Sequence, residues 1–123
     1  MYTLYGIKNC DTVKKARKWL ESNDVNYQFH DFRVDGLTAE MIEQWFTTVG
    51  WEKLLNKRST TWRQLDDAQK ENINEQSAAS LLLNNPTLIK RPVLDNEITI
   101  LVGFSEESYQ TATTLQSHLT RDL

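Results

Sequence analysis

The chain has 123 residues, with 14 Lys and Arg, 17 Asp and Glu, two His, one Cys and 39% hydrophobic side chains. That size fits one domain of roughly 100–150 residues, which buries about two thirds of its unfolded surface without a disulfide or metal staple. One cysteine excludes an internal disulfide, a CxxC redox pair and a multi-cysteine zinc site, and a net charge of −3 lacks the basic footprint of a dedicated nucleic-acid binder.

Tyr2-Thr3-Leu4-Tyr5, aromatic and β-branched up to Gly6, predicts a first strand. Gly6 to Cys10 reads as a loop. A helix is expected over about Asp11–Glu21, with Val13, Ala16 and Leu20 at helical spacing and Ser22-Asn23-Asp24 as its stop. Val25–Phe32 alternates as a second strand, with Val25, Tyr27 and Phe29 facing one way. Strand, helix and strand over about 30 residues have the size of a βαβ unit, so the two strands are expected to be parallel.

The middle of the chain is expected to be helical. Thr38 suits an N-cap for a helix with Met41, Ile42, Trp45, Phe46 and Val49 on one face, ended by Gly50. Trp51, Leu54 and Leu55 suggest a short helical turn before the polar loop 56–61, and Trp62 and Leu65 suggest a turn or short helix. A further helix is expected over Glu75–Leu83, with Ala78, Ala79, Leu82 and Leu83 inward, closed by Asn84-Asn85-Pro86. No strand is expected between Thr38 and Leu88.

Strands then return: Pro92-Val93-Leu94 and Ile98–Val102, joined by Asp95-Asn96-Glu97 as a hairpin. Ser105 caps a last helix with Glu106 and Glu107 at its positive end and Tyr109, Ala112 and Leu115 on its apolar face. The order is βαβ, a helical block, then ββα. It predicts an α/β chain of thioredoxin-like plan, with one four-stranded mixed sheet and an all-helical insertion at about 38–88, forming a single domain over 1–123. No run reaches the roughly 20 apolar residues of a membrane span, and the first residues lack the order of a signal peptide. With unpaired cysteine usage, a reducing cytoplasm is expected.

Cys10 stands directly before the first helix, where free N–H groups and the helix dipole favour a thiolate. An ordinary thiol, with a pKa of about 8.5, is only a few per cent ionised at neutral pH. Lys8 and Lys14 add to the favourable field and Asp11 opposes it. The same residue also fits a buried structural cysteine. Arg91 could clamp an anion with its planar fork of donors, or be solvated. From base rates alone the Arg91–Pro92 bond is an ordinary trans peptide at a strand edge. Lys57, Arg58 and Arg63 form a short basic cluster that reads either as a solvated loop or as a further cation for the Cys10 loop. His30 and His118 have no metal-ligand spacing, Trp45, Trp51 and Trp62 fall on helical faces as core, and no GxGxxG, P-loop or HExxH motif occurs, so neither a metal nor a bound cofactor is expected.

The runs 2–16 (YTLYGIKNCDTVKKA), 56–62 (NKRSTTW) and 85–93 (NPTLIKRPV), in this order across nearly the whole chain, resemble the arsenate reductase (ArsC) family, in particular its YffB branch, which is related to the Spx transcriptional regulators. The resemblance implies a thioredoxin-like fold with a helical insert, Cys10 as catalytic thiol, Arg91 as stabiliser of an anion or thiolate, and a cis Pro92. Arg58 lies near another anion-binding arginine of arsenate reductases, where direct register places Asn56. Lys8, Asn9 and Thr12 complete the candidate anion- or substrate-binding set. Gly6 and Gly103 stand where arsenate reductases carry a histidine and an arginine, which turns the expectation from arsenate towards disulfides. What the resemblance implies is a glutathione-dependent thiol reductase, with glutathione as co-substrate: the lone thiolate attacks a disulfide or oxyanion-type substrate and an external thiol resolves the adduct. The alternative is an Spx-like, non-enzymatic regulator binding RNA polymerase, with Val13 in the place of the second cysteine of the Spx CxxC pair.

Overall fold

The computed structural model describes the backbone of residues 1–121 and the side chains of residues 1–114. Leu115 and His118 therefore lie outside the described side chains. The chain divides into two compact units, Met1–Asp35 together with the stretch from Arg91 onward, and Gly36–Lys90.

The first unit holds strands β1 (Tyr2–Gly6), β2 (Tyr27–Asp31), β3 (Val93–Asp95) and β4 (Ile100–Val102), with helices α1 (Asp11–Ser22) and, after the helical unit, the last helix Glu106–Arg121. The sheet order is β2-β1-β3-β4. β1 and β2 run parallel, as a βαβ crossover requires, with Leu4 beside Phe29 and Gly6 beside Asp31. β3 lies antiparallel to β1, with Tyr5 beside Val93, and β4 antiparallel to β3. This is the thioredoxin-like plan.

Period-two alternation decides which face is covered: Leu4 and Leu94 point into one cluster with Ala16 and Leu20 of α1 and Tyr109 of the last helix. Tyr2, Val25, Tyr27 and Phe29 pack around it, so the second strand's apolar set faces inward as its spacing predicts. Trp19 and Phe104 both meet the Tyr109 ring edge-on, at centroid distances of 5.7 and 4.8 Å. The Tyr109 hydroxyl is buried there without a hydrogen-bond partner among the described residues, and burial pushes its pKa well up. Ser105 caps the last helix, its Oγ accepting from the Ser108 N–H at 3.1 Å.

The hairpin differs from expectation at one end. Asn96 is buried, and its Oδ1 accepts from the N–H groups of both Ile98 and Thr99, at 2.9 and 2.7 Å. That Asx-type turn uses up the backbone donors of 98 and 99, so β4 begins only at Ile100 and Ile98 is exposed.

The second unit holds helices α2 (Ala39–Val49), α3 (Trp51–Leu54), α4 (Thr60–Gln64), α5 (Asp67–Lys70) and α6 (Glu75–Asn84), followed by a 3₁₀ turn, Pro86–Leu88, with an isolated antiparallel bridge between Leu55 and Ile89; the last helix of the first unit is α7. Thr38 caps α2, its Oγ1 accepting from the Met41 N–H at 3.2 Å, and Gly50 ends it at φ 84°, a left-handed conformation that favours glycine. Ile42, Trp45 and Phe46 are buried. On α6 the inward face is Ala78, Leu81 and Leu82, and Leu83 is exposed. In the run Leu81-Leu82-Leu83, positions three and four after Ala78 share its face and position five does not. Of the insert's tryptophans only Trp45 is fully buried; Trp62 is half-buried, with Lys57 and Lys70 over its ring at 5.7 and 5.8 Å. Among the described residues no helix is long and apolar enough to cross a membrane.

Candidate functional site

At the C-terminal end of β1 the chain makes a tight turn into α1. The Cys10 N–H donates to the Ile7 carbonyl at 3.2 Å, and the Cys10 carbonyl accepts from Lys14 N–H at 3.0 Å, opening the helix. Cys10 is the N-cap of α1, with extended backbone (φ −95°, ψ 125°). The turn is held from the adjacent strand: the Phe32 N–H donates to the Gly6 carbonyl at 2.9 Å, and the Lys8 N–H to Asp31 Oδ2 at 3.2 Å. Gly6 allows the helix to come this close. A Cβ at position 6 would lie 2.8 Å from Cγ2 of the fully buried Val13.

Two things act on the Cys10 sulfur in opposite directions. Its partial burial pushes the thiol pKa up. The backbone N–H of Val13, the Arg91 side chain by hydrogen bond and by charge, and the N–H of Thr12 outweigh that burial and bring the thiol below its ordinary range. As a neutral cap the side chain closes no short hydrogen bond to the helix; the amides act on the anion, which draws them in more strongly. The helix start supplies these amides because its first N–H groups have no intrahelical acceptor.

Arg91 reaches this sulfur because β3 lies beside β1 in the sheet. Tyr5 pairs with Val93, so the residues just after β1 and just before β3 leave the sheet at the same end. The Arg91–Pro92 peptide bond is cis. Pro92 is buried, and its carbonyl accepts from the Gly103 N–H at 2.8 Å. Gly103 has φ 80°, a conformation that an arginine would adopt only under strain.

Cys10 and Arg91 are thus brought together, with the Thr12 amide. The side chains of Lys8, Asn9 and Thr12 are exposed around the turn. Arg58 belongs to the helical unit, where it is exposed and its N–H donates to Asn56 Oδ1 at 3.0 Å in the turn before α4. His30 is half-buried, its ring 5.0 Å from that of Tyr5 on the neighbouring strand. Among the described residues no group of three His, Cys, Asp or Glu side chains is placed to hold a metal ion. Asp31 is the site residue that spacing does not reveal. The available signal was an acidic residue between Phe29 and Phe32, at the C-terminal end of the second strand.

The family pattern that matches the chain is that of the ArsC family, over residues 5–112. An uncharacterized protein of Haemophilus influenzae is 52% identical over 112 residues, covering 91% of this chain and 98% of that one. A solved structure, that of a protein called YFFB, superposes with a TM-score of 0.88 at 46% identity, covering 91% of this chain and 98% of that one. The global transcriptional regulator Spx of Lactiplantibacillus plantarum is 30% identical over 110 residues, covering 87% of this chain and 82% of that protein.

Proposed function

The chain belongs to the ArsC family, and from that premise we propose that it is a glutathione-dependent thiol oxidoreductase with Cys10 as nucleophile. The observation that carries this is the position of the single cysteine: at the N-cap of α1, with the Val13 and Thr12 amides and the Arg91 guanidinium lowering its pKa. These are the conditions under which a thiol becomes a thiolate near neutral pH.

The reaction has two exchange steps. The Cys10 thiolate attacks the glutathionyl sulfur of a mixed disulfide, forming a Cys10–glutathione disulfide and releasing the other sulfur as a thiolate, which takes up a proton. A second glutathione, deprotonated, attacks the glutathione sulfur of that adduct, returning Cys10 as thiolate and leaving oxidised glutathione. Each step breaks one S–S bond and forms one. Arg91 and the helix amides stabilise the sulfur when it departs as an anion in the second step. Exposed Lys8, Asn9 and Thr12 around the turn are the side chains assigned to the carboxylates of the tripeptide or to an oxyanion. Gly6 and Gly103 supply no donor at the two positions where arsenate reductases use side chains, which favours a disulfide over arsenate. Such chemistry suits the reducing cytoplasm, where the external thiol is available.

A second reading is supported by the 30% identity to the Spx regulator: a regulator that binds RNA polymerase and does no redox chemistry. In this chain Val13, at the place of the second Spx cysteine, is buried against Gly6, so no internal disulfide switch operates. The deciding experiment is glutathione-dependent reduction of a small glutathione mixed disulfide by the wild type and by Cys10→Ser. Turnover is expected in the first only. Equal rates in both end the enzymatic reading, and polymerase capture indifferent to Cys10→Ser then supports the second.

A further inference from the structure

The turn that carries Cys10 is anchored to the sheet by a buried carboxylate. Asp31, the last residue of β2, is 7% exposed. Its two oxygens serve two different backbone donors: Oδ2 accepts from the Lys8 N–H at 3.2 Å, and Oδ1 from the Arg33 N–H at 2.8 Å. Its own N–H donates to Asp35 Oδ2 at 2.9 Å, and its carbonyl accepts from the Asp35 N–H at 2.7 Å, so the anchor is itself braced. The Lys8 amide lies inside the Ile7–Cys10 turn closed by the Cys10 N–H, two residues before the sulfur.

We propose that Asp31 is a positioning residue for Cys10: by accepting the Lys8 amide it fixes the Ile7–Cys10 turn, and thereby the direction in which the sulfur meets the first amides of α1. This rests on the reading of Cys10 as the reacting thiol. The chemistry requires a carboxylate in particular, because only an ionised acid offers an acceptor on both arms. An asparagine of the same shape keeps one acceptor and turns an NH₂ donor on the other backbone N–H, whichever way it is flipped. The acidic partner Asp35 serves a single donor through its side chain, so asparagine there loses nothing.

The pair Asp31→Asn and Asp35→Asn separates geometry from charge. Charged groups around the turn are Lys8, Asp11 and Lys14 on its own segment, Asp31, Arg33 and Asp35 at the end of β2, and Arg91 before β3. Removing a negative charge from this set favours the thiolate and lowers the thiol pKa. Loosening the turn takes the amides off the sulfur and raises it. The two mechanisms therefore predict opposite signs.

The thiol pKa is read from the pH dependence of Cys10 alkylation by iodoacetamide in the folded, full-length chain. Asp31→Asn is expected to raise it by about 0.5–1 unit, slowing alkylation at pH 7 by about three- to tenfold, while Asp35→Asn leaves it unchanged or slightly lower. An unchanged or lowered value in Asp31→Asn overturns the proposal. The wild-type value tests the parent reading separately: a thiol at or above about 8.5 removes the nucleophile, whereas the difference between variant and wild type tests Asp31 alone. Should Asp31→Asn not fold, the wild-type chain supplies the readout. The Lys8 amide proton is then expected to be protected from exchange with solvent, and an unprotected amide overturns the proposal.

Discussion

Gly6→Ala tests how tightly the first strand and first helix are fitted beneath the sulfur. An alanine Cβ would stand 2.8 Å from Val13 Cγ2 and 3.4 Å from Cγ1, about 0.7 Å inside the shorter limit of a comfortable carbon–carbon contact of roughly 3.5–4.0 Å. Val13 is fully buried and β-branched in a helix, with one strongly preferred rotamer, so the strain must move α1 and cannot be relieved by a side-chain swing. Overpacking of this kind costs about 1–3 kcal/mol. Against it, replacing a glycine in ordinary strand backbone restricts the unfolded chain and returns about 0.4–1 kcal/mol. The net loss is about 1–2 kcal/mol, or a fall in Tm of about 3–10 °C for a chain of this length. Thermal and urea unfolding measure it, and a double-mutant cycle with Val13→Ala isolates the contact. With the two methyls gone, Gly6→Ala should become neutral or mildly stabilising. The same cost in both backgrounds, or no cost in the wild type, refutes the steric argument. Since the Val13 amide also stabilises the Cys10 anion, the single variant should alkylate more slowly at pH 7.

Two further outcomes follow from the same sulfur. Arg91→Met removes a close opposite charge and a hydrogen bond, and should raise the Cys10 pKa and slow its alkylation at pH 7 several-fold, with Arg91→Lys intermediate because it keeps the charge but not the planar fork; wild-type alkylation rates in Arg91→Met refute the assignment. The lowered thiol pKa also sets a sign for stability. A group more acidic in the folded than in the unfolded chain contributes fully above its unfolded pKa, about 8.5, and loses that contribution as pH falls through the folded value. The urea midpoint of wild type relative to Cys10→Ser should therefore rise with pH across that window and level off above it, and a flat difference contradicts the shift.

The parallel βαβ unit was legible because Leu4, Val13, Ala16 and Leu20 carry clean strand and helix periods that end at Gly6 and Asn23. Where periodicity was absent, the element was not legible in the sequence. Helix α5 buries no residue and owes its start to reciprocal hydrogen bonds between Asp66 and Gln69, a capping box that no apolar repeat announces. The inward face of α6 was misplaced by one residue because three consecutive leucines give no phase of their own; Ala78 supplies it. The late start of β4 depends on where one amide oxygen, that of Asn96, finds its donors. At the site, Cys10 could be picked out by its place before a helix and Arg91 by its place before a strand. Asp31 could not, because its importance lies in which two backbone donors it meets, and that pairing exists only after β1 and β2 are set side by side.

β1 and β3, from whose ends the sulfur and the guanidinium are carried, are the two innermost strands of the order β2-β1-β3-β4. The sulfur and the guanidinium are thus carried at the ends of strands that have a partner on both sides, so displacing either one requires two neighbouring strands to give way together.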